Sequence, residues 1–353
     1  MRYIYALLLA LPVAVAAQLL QWGDVLVFVA SAIAIVPMAA VLSAATEALA
    51  DRTGPRLGGL LNATLGNAAE LIIVLVAINA GRTELVKASI IGSILGNLLL
   101  VLGFSLLLGG LKNGTQRFSR ERVTIDATLT ILAAIVISVP SLFIGEIGAD
   151  FTRVEELSLL TAGIVMLLYV ASIFYTLRQS SDDWKQGPVI EPTHEGPHWS
   201  LGVALGAMAA AVVGIAVMSE LLVGSLEAMT HTLGVSEFFV GIIIVPIIGN
   251  VAEHTVAVKV AMEDRMDLSL TIAFGSSLQI ALFLAPLVVF ASLLMGHPLS
   301  LAFTTPEIVA TLAASAIAAL VAFDGRSNWL EGAMLLVVYA ILAVGFFFLP
   351  GGL

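Results

Sequence analysis

Eleven times along this chain, an apolar stretch is long enough to cross the roughly 30 Å of bilayer hydrocarbon as a helix. The stretches lie near 3–20, 25–50, 57–81, 85–110, 123–145, 156–178, 200–230, 237–262, 267–295, 305–322 and 329–349. Hydrophobic residues make up 59% of the chain and charged residues only 11%, whereas a soluble domain carries about 25% charged residues. So few charges cannot cover a water-facing surface, and lipid must replace water over most of it. The expected fold is an all-α polytopic membrane protein with eleven transmembrane helices. Cysteine is absent, which excludes disulfides and thiolate metal sites. The net charge is −10, and no basic patch points to nucleic acid. No nucleophile–base pair or nucleotide loop is present, so an enzyme is not expected.

The first stretch has two readings. Arg2 precedes apolar residues that end in Ala14 to Ala17, the layout of a cleaved signal peptide. Because many spans follow, a short extra N-terminal span is the simpler expectation. The longest polar connection, 179–199, carries Asp182, Asp183, Pro188, Pro192 and Pro197. It is read as a polar, acidic linker between two halves. Eleven spans place Arg2, Arg52, Arg56, Lys112, Arg117, Arg120, Arg122, Arg178, Lys185, Lys259, Arg265 and Arg326 on one side. Only Arg82, Lys87 and Arg153 fall on the other. The excess of positive charge marks the first side as cytoplasmic, with the N-terminus inside and the C-terminus outside. Lys259, Glu263, Asp264 and Asp267 read as solvated loop charge.

The two halves share motifs. Gly66-Asn67-Ala68-Ala69-Glu70 matches Gly249-Asn250-Val251-Ala252-Glu253. At the same offset, Gly92-Ser93-Ile94-Leu95 matches Gly275-Ser276-Ser277-Leu278. Five spans separate equivalent elements, so the second copy must cross the membrane in the opposite sense. Inverted repeats of this kind are characteristic of secondary transporters, whose sites lie near the midplane. The expected organisation is an extra helix at 1–22, a five-helix repeat at 23–178, the linker at 179–199, and a second five-helix repeat at 200–353.

Glu70 and Glu253 fall within apolar spans, where an ionised carboxylate is costly and needs a partner, a proton or a cation. No basic residue lies mid-span near either one. Asn67 and Gly66 precede Glu70 by three and four residues, and Asn250 and Gly249 repeat this before Glu253, so each set shares a helical face. Asn supplies a neutral carbonyl oxygen. Gly allows close backbone approach or local unwinding, expected at both Gly-Asn steps. Pro246 should loosen its helix as well. Ser93 with Asn97, and Ser276 with Gln279, add hydroxyl and amide groups on the neighbouring spans. An all-oxygen set with two carboxylates suits protons and hard cations such as Ca²⁺. For Gly92, Gly96 and Gly275, close helix packing explains the residue as well as ligation does. Glu47 and Glu227, near opposite ends of equivalent spans, are candidate gates, and Glu220 has similar standing. His254 points about 100° away from Glu253 on an ideal helix and is a further candidate gate or proton partner.

The motifs GNAAEL at 66–71, GNVAEH at 249–254, GSILGN at 92–97 and GSSLQI at 275–280 resemble the calcium/proton antiporter family of the cation/calcium exchanger superfamily. The resemblance covers nearly the whole chain. It implies eleven helices in two inverted repeats, and exchange of cytosolic Ca²⁺ for protons with no cofactor besides the transported ions. It also implies that Glu70 and Glu253 are the central cation and proton ligands, with Asn67, Asn250, Ser93, Ser276 and Gln279 nearby. Sodium/calcium exchangers place proline before the equivalent glutamate, where this chain has Ala69 and Ala252. Gly96 departs from the serine expected in many relatives. The alternatives are a sodium-driven Ca²⁺ exchanger and, in a different class, a passive cation channel lined by carboxylates. A prokaryotic plasma membrane suits the compact chain, and a homo-oligomer is compatible with it.

Overall fold

The computed structural model describes residues 6–147, 151–179 and 199–349. Nearly all of the expected linker lies outside them, as do the first residues of the expected first span. The described chain is helical apart from short connections and one two-strand pair. The helices are α1 (Leu7–Leu19), α2 (Asp24–Leu65), α3 (Ala68–Asn79), α4 (Thr83–Asn113), α5 (Arg120–Ile147), α6 (Phe151–Gln179), α7 (Leu201–Gly224) and α8 (Leu226–Leu233). They continue with α9 (Glu237–Met262), α10 (Met266–Leu294), α11 (Thr305–Ala322) and α12 (Trp329–Phe347). Among the described residues, nine helices are long and apolar enough to cross a membrane, and α1 and α3 are shorter apolar helices.

One difference from the expected spans concerns the second and third. Helical turns follow one another from Asp24 to Leu65, 42 residues, including the polar segment where a loop was expected. The chain nevertheless turns back there. A Cβ on Gly58 would lie 2.6 Å from the Ala50 carbonyl oxygen, although eight residues of straight helix rise about 12 Å. Gly54-Pro55 lies between the two legs. The break in the expected 57–81 span comes later, at Gly66-Asn67, where α2 ends and α3 begins.

Burial separates an inner group of helices from an outer one. Of the membrane-length window of α4, 83% is buried, against 22% for α7 and for α12. Helix α4 is held between α9 and α12, and α2 pairs with α7 along much of its length. On α6, Leu160, Ile164 and Leu167 stand 66–70% exposed at helical spacing. An apolar stripe of that kind requires lipid, because water would penalise it.

Strands β1 (Gln116–Arg117) and β2 (Arg326–Ser327) pair antiparallel at one end of the bundle. The segment after α4 also caps the α9–α10 turn there. Gln116 Nε2 donates to the Ala261 carbonyl at 2.8 Å and to Asp264 at 3.0 Å, and the Ser119 backbone N–H donates to Asp267 at 2.7 Å. Asp264 and Asp267, expected to be free loop charge, are therefore anchors. Arg82, at the other end of α4, defines the opposite end of the bundle.

Three helices contain a wider π-type turn: Gly96–Val101 in α4, Val240–Ile244 in α9 and Ile280–Leu284 in α10. Such turns insert an extra residue and often mark functional sites. Those in α4 and α10 begin within about one helical turn after Ser93 and Ser276, at closely matching places in the two halves. Neither was legible in the sequence, since π turns leave no simple residue pattern.

Candidate cation-binding site

Helices α3, α4, α9 and α10 bring the expected residues into one cluster. Glu70 sits in the first turn of α3, just past the break at Gly66-Asn67. Asn67 has φ −96° and ψ 26°, outside the helical region, so unwinding occurs at this Gly-Asn step as expected. The second step behaves differently. Helix α9 is regular from Val245 to Met262, through Gly249, Asn250 and Glu253. The expectation of a break at Gly249-Asn250 is overturned. The irregular turn lies upstream at Val240–Ile244. Pro246 lies inside the continuous α9 directly after this turn, where its missing N–H leaves one helical carbonyl without a partner, so the loosening expected of it falls just upstream of the motif.

The amides cross between the halves. Both Ser93 Oγ and Asn250 Nδ2 donate to Glu70 Oε1, and Asn250 also lies 3.4 Å from Ser93 Oγ. In the mirrored arrangement, Asn67 Nδ2 donates to Gln279 Oε1 at 2.9 Å, and Ser276 Oγ donates to Asn67 Oδ1 at 3.2 Å. Each asparagine thus serves the opposite half and not the glutamate three residues after it. Asn97 Nδ2 donates to Ser276 Oγ at 3.0 Å, and its Oδ1 lies 3.2 Å from His254 Nε2. His254 is joined to the cluster through Asn97, although it faces away from Glu253.

The two motif glycines permit the close approach of the halves. A Cβ on Gly249 would stand 3.0 Å from Glu70 Cγ. A Cβ on Gly66 would stand 3.2 Å from Gln279 Oε1 and 3.6 Å from Glu253 Oε1. The other glycines resolve differently. Gly92 is a packing position, since a Cβ there would lie 2.6 Å from the Ile242 carbonyl carbon and 2.7 Å from Pro246 Cγ. Around a Cβ on Gly96 or Gly275 there is nothing within 4 Å.

Two oxygens in this cluster lack partners. Oε2 of Glu70 and Oε2 of Glu253 are buried without a hydrogen bond. Buried polar atoms are nearly always satisfied, and an orphaned carboxylate oxygen calls for a proton or a cation. Among the described residues no group of three or more Asp, Glu, His or Cys side chains could hold a metal. Any cation here would use two carboxylates with neutral amide and hydroxyl oxygens, a donor set suited to a hard ion. Glu70 is 4% exposed; Glu253, His254 and Gln279 are less completely covered as whole residues, although the Glu253 Oε2 atom is itself buried.

Of the candidate gates, His254 joins the cluster, and the carboxylates differ from it in exposure. Glu47 and Glu220 are exposed. Glu227 is exposed too, and it pairs with Arg82 at 3.0 Å. Arg82 also reaches Glu237 at 3.4 Å, joining the α3–α4 turn to α8 and to the start of α9. Glu237 was missed in the sequence. The available signal was Arg82, one of only three cations assigned to its side of the membrane.

Comparison with known proteins identifies the family. The family model described as sodium/calcium exchanger protein matches residues 24–178 and 203–348. The chain is 42% identical to a Ca²⁺/H⁺ antiporter of Synechocystis sp., over 98% of this chain and 96% of that relative. It is 40% identical to the Ca²⁺/H⁺ antiporter ChaA of Bacillus subtilis, over 99% of this chain and 100% of the relative. The solved structure of native YfkE superposes with a TM-score of 0.86 at 38% identity, covering 98% of this chain and 100% of that one. The chain belongs to the calcium/proton antiporter family of the cation/calcium exchanger superfamily.

Proposed function

We propose that this protein is a secondary active transporter that exchanges cytosolic Ca²⁺ for protons, with Glu70 and Glu253 as the shared ligands of both ions. The observation that carries the reading is the pair of buried, unpartnered carboxylate oxygens, one from each half, inside a network that crosses between the halves. The ions named for the relatives supply the identity of the cargo. The proposed architecture has eleven spans, an extra N-terminal helix followed by two inverted five-helix repeats. The proposed orientation is N-terminus inside and C-terminus outside, in a prokaryotic plasma membrane.

The chemistry of exchange follows from charge. Two carboxylates are neutralised by one divalent ion or by two protons. With neither, two bare charges would have to pass through a dry intermediate, which is costly. That cost suppresses leak and couples the two fluxes. Ser93 and Asn250 orient Glu70 and contribute oxygens, while Asn67, Ser276, Asn97 and Gln279 do so from the Glu253 side. The backbone at Gly66 and Gly249 lets the two sets converge. Glu227 acts as a gate through Arg82, whose ion pairs hold that end of the bundle together. Glu47 guards the opposite mouth, and His254 is a proton partner acting through Asn97.

Flux of Ca²⁺ into proteoliposomes, driven separately by pH and by Na⁺ gradients, tests the assignment. Uptake is expected with the pH gradient and not with Na⁺ alone. Uptake driven by Na⁺ would identify a sodium-driven exchanger, and uptake down a Ca²⁺ gradient without either would identify a channel. Acidifying the Ca²⁺-loading side should slow exchange, because protons compete for the same oxygens. A rate that stays flat between about pH 5 and 8 would remove the shared-ligand mechanism, since competition between protons and Ca²⁺ for the same oxygens must depend on pH.

A further inference from the structure

Buried hydroxyls on the spanning helices mostly donate to a carbonyl of their own helix, as Ser138, Ser158 and Ser277 do. Ser105 on α4 and Ser269 on α10 do not. Both are 0% exposed, and neither Oγ has a hydrogen bond. Their positions are related. Asn97 of α4 donates to Ser276 of α10 at the ion site. Helix α4 ends and α10 begins at the β1–β2 end of the bundle, so the two run antiparallel. Ser269 precedes Ser276 by seven residues, about two turns of regular helix, so both lie on one face. Ser105 follows Asn97 by eight residues, and the wider turn at Gly96–Val101 takes up the extra one. Ser105 therefore returns to the face of Asn97, where a regular helix would leave it about 80° away. The two hydroxyls stand at the same level on facing helices, about 11 Å from the ion site toward the β1–β2 end.

The line of unpartnered oxygens continues to that end. Gly109 lies one turn beyond Ser105 on the same face, and a Cβ there would collide with Gln116 Oε1. That oxygen is buried without a partner, as is Ser327 Oγ, on the residue directly opposite Gln116 in the strand pair. The Nε2 of the same Gln116 amide holds Asp264, which is exposed. Among the described residues, four of the seven unpartnered buried oxygens outside the two glutamates thus fall between the ion site and one end of the bundle. Buried oxygens without protein partners are where internal water binds. We infer that a file of ordered water molecules runs from Asn97 to Asp264 past Ser105, Ser269, Gln116 and Ser327, and carries protons between the ion site and the β1–β2 end. Each water accepts one proton and passes on another, so only hydrogen moves along the file. Ca²⁺ cannot follow, because it takes roughly six to eight oxygen ligands and the file offers scattered neutral ones. This rests on the proposed exchange, and it separates the route of the proton from the route of the ion.

The test uses the full chain in proteoliposomes. A double variant, Ser105→Ala with Ser269→Ala, should slow pH-driven uptake at saturating Ca²⁺ by about tenfold, the effect on a barrier of about one lost hydrogen bond. The slowing in D₂O should exceed that of the parent, because proton passage becomes limiting. Equilibrium binding of Ca²⁺ alone should match the parent. Weaker binding would make the hydroxyls part of the ion site and overturn the file. Ser31→Ala with Ser219→Ala removes two equally buried, unpartnered hydroxyls that lie on α2 and α7, and should leave the D₂O effect as in the parent. A parental rate and D₂O effect in the first variant, or the same rise in the second, would overturn the file. Ser269→Ala alone gives the same comparison if the double variant fails to fold. A high-resolution crystal structure of the parent supplies a readout independent of transport. Water should bridge Ser105 Oγ and Ser269 Oγ, whereas hydroxyls bonded to their own helix carbonyls with no water between them would overturn the file. If the parent fails to exchange Ca²⁺ for protons, the proposed function fails, and the water positions still decide the file.

Discussion

The two copies of the GNxAE motif have the same letters and different surroundings. In the first, the helix breaks at Gly66-Asn67, Glu70 is enclosed, and the facing stretch of α4 is packed against α9. In the second, α9 is regular through Gly249-Asn250, Glu253 is less completely covered, and a Cβ on Gly275 of α10 would have no neighbour within 4 Å. The motif is shared but its flanks are not: Pro246 stands three residues before Gly249, and Ala63 occupies the equivalent place before Gly66. The packing differs too, since Gly92 meets the Ile242 backbone while no backbone of another element comes that close to Gly275.

The largest expected effect tests whether the two halves remain equal where it matters most. Glu70→Gln and Glu253→Gln should each lower exchange at least about a hundredfold, because an uncompensated buried charge costs roughly 3–5 kcal/mol. Full exchange in either variant would show that one half alone binds the ion. Next comes packing. Gly92→Ala should lower thermal stability by about 1–3 kcal/mol, since the Ile242 backbone cannot easily move away. Gly275→Ala should leave stability unchanged, and equal losses at both positions would erase the asymmetry. The amides separate the halves more finely. Asn250→Ala removes a donor to a carboxylate, worth about 1.5–3 kcal/mol, whereas Asn67→Ala removes neutral hydrogen bonds worth about 1 kcal/mol each. Apparent Ca²⁺ affinity should therefore fall further in Asn250→Ala, and the reverse order would place the cation closer to the Glu253 side. The smallest effect is expected at Arg82. Its pairs with Glu227 and Glu237 are partly exposed, and such pairs contribute at most about 1 kcal/mol. Arg82→Ala should raise the initial exchange rate with Ca²⁺ supplied at that end by no more than about fivefold. An unchanged rate would show that these pairs do not hold that mouth shut.

Much of the molecule was legible in its sequence, and particular residues show why. Hydropathy is a local property, so the expected spans 237–262 and 305–322 coincide with the ends of α9 and α11. The matched motifs are also linear information, and they single out Glu70, Glu253, Asn67, Asn250, Ser93, Ser276, Asn97 and Gln279 without any knowledge of contacts. The polar residues around Gly54-Pro55 mark the place where the chain reverses between the second and third expected spans, although helical turns follow one another through it. The acidic residues Asp264 and Asp267 misled, since composition does not reveal that a distant loop will dock on them.

By itself, the sequence determined a lipid-embedded helical chain with two copies of one oxygen-rich motif, because span length, charge scarcity and motif spacing are written along the chain. Only the tertiary structure decided which partner each motif serves and which copy is closed. Asn250 reaches Glu70 and Asn67 reaches Gln279, and Gly92 is packed while Gly275 is free. These are relations between elements from opposite halves. Two copies with the same local code leave such relations open until the helices are placed against one another in space.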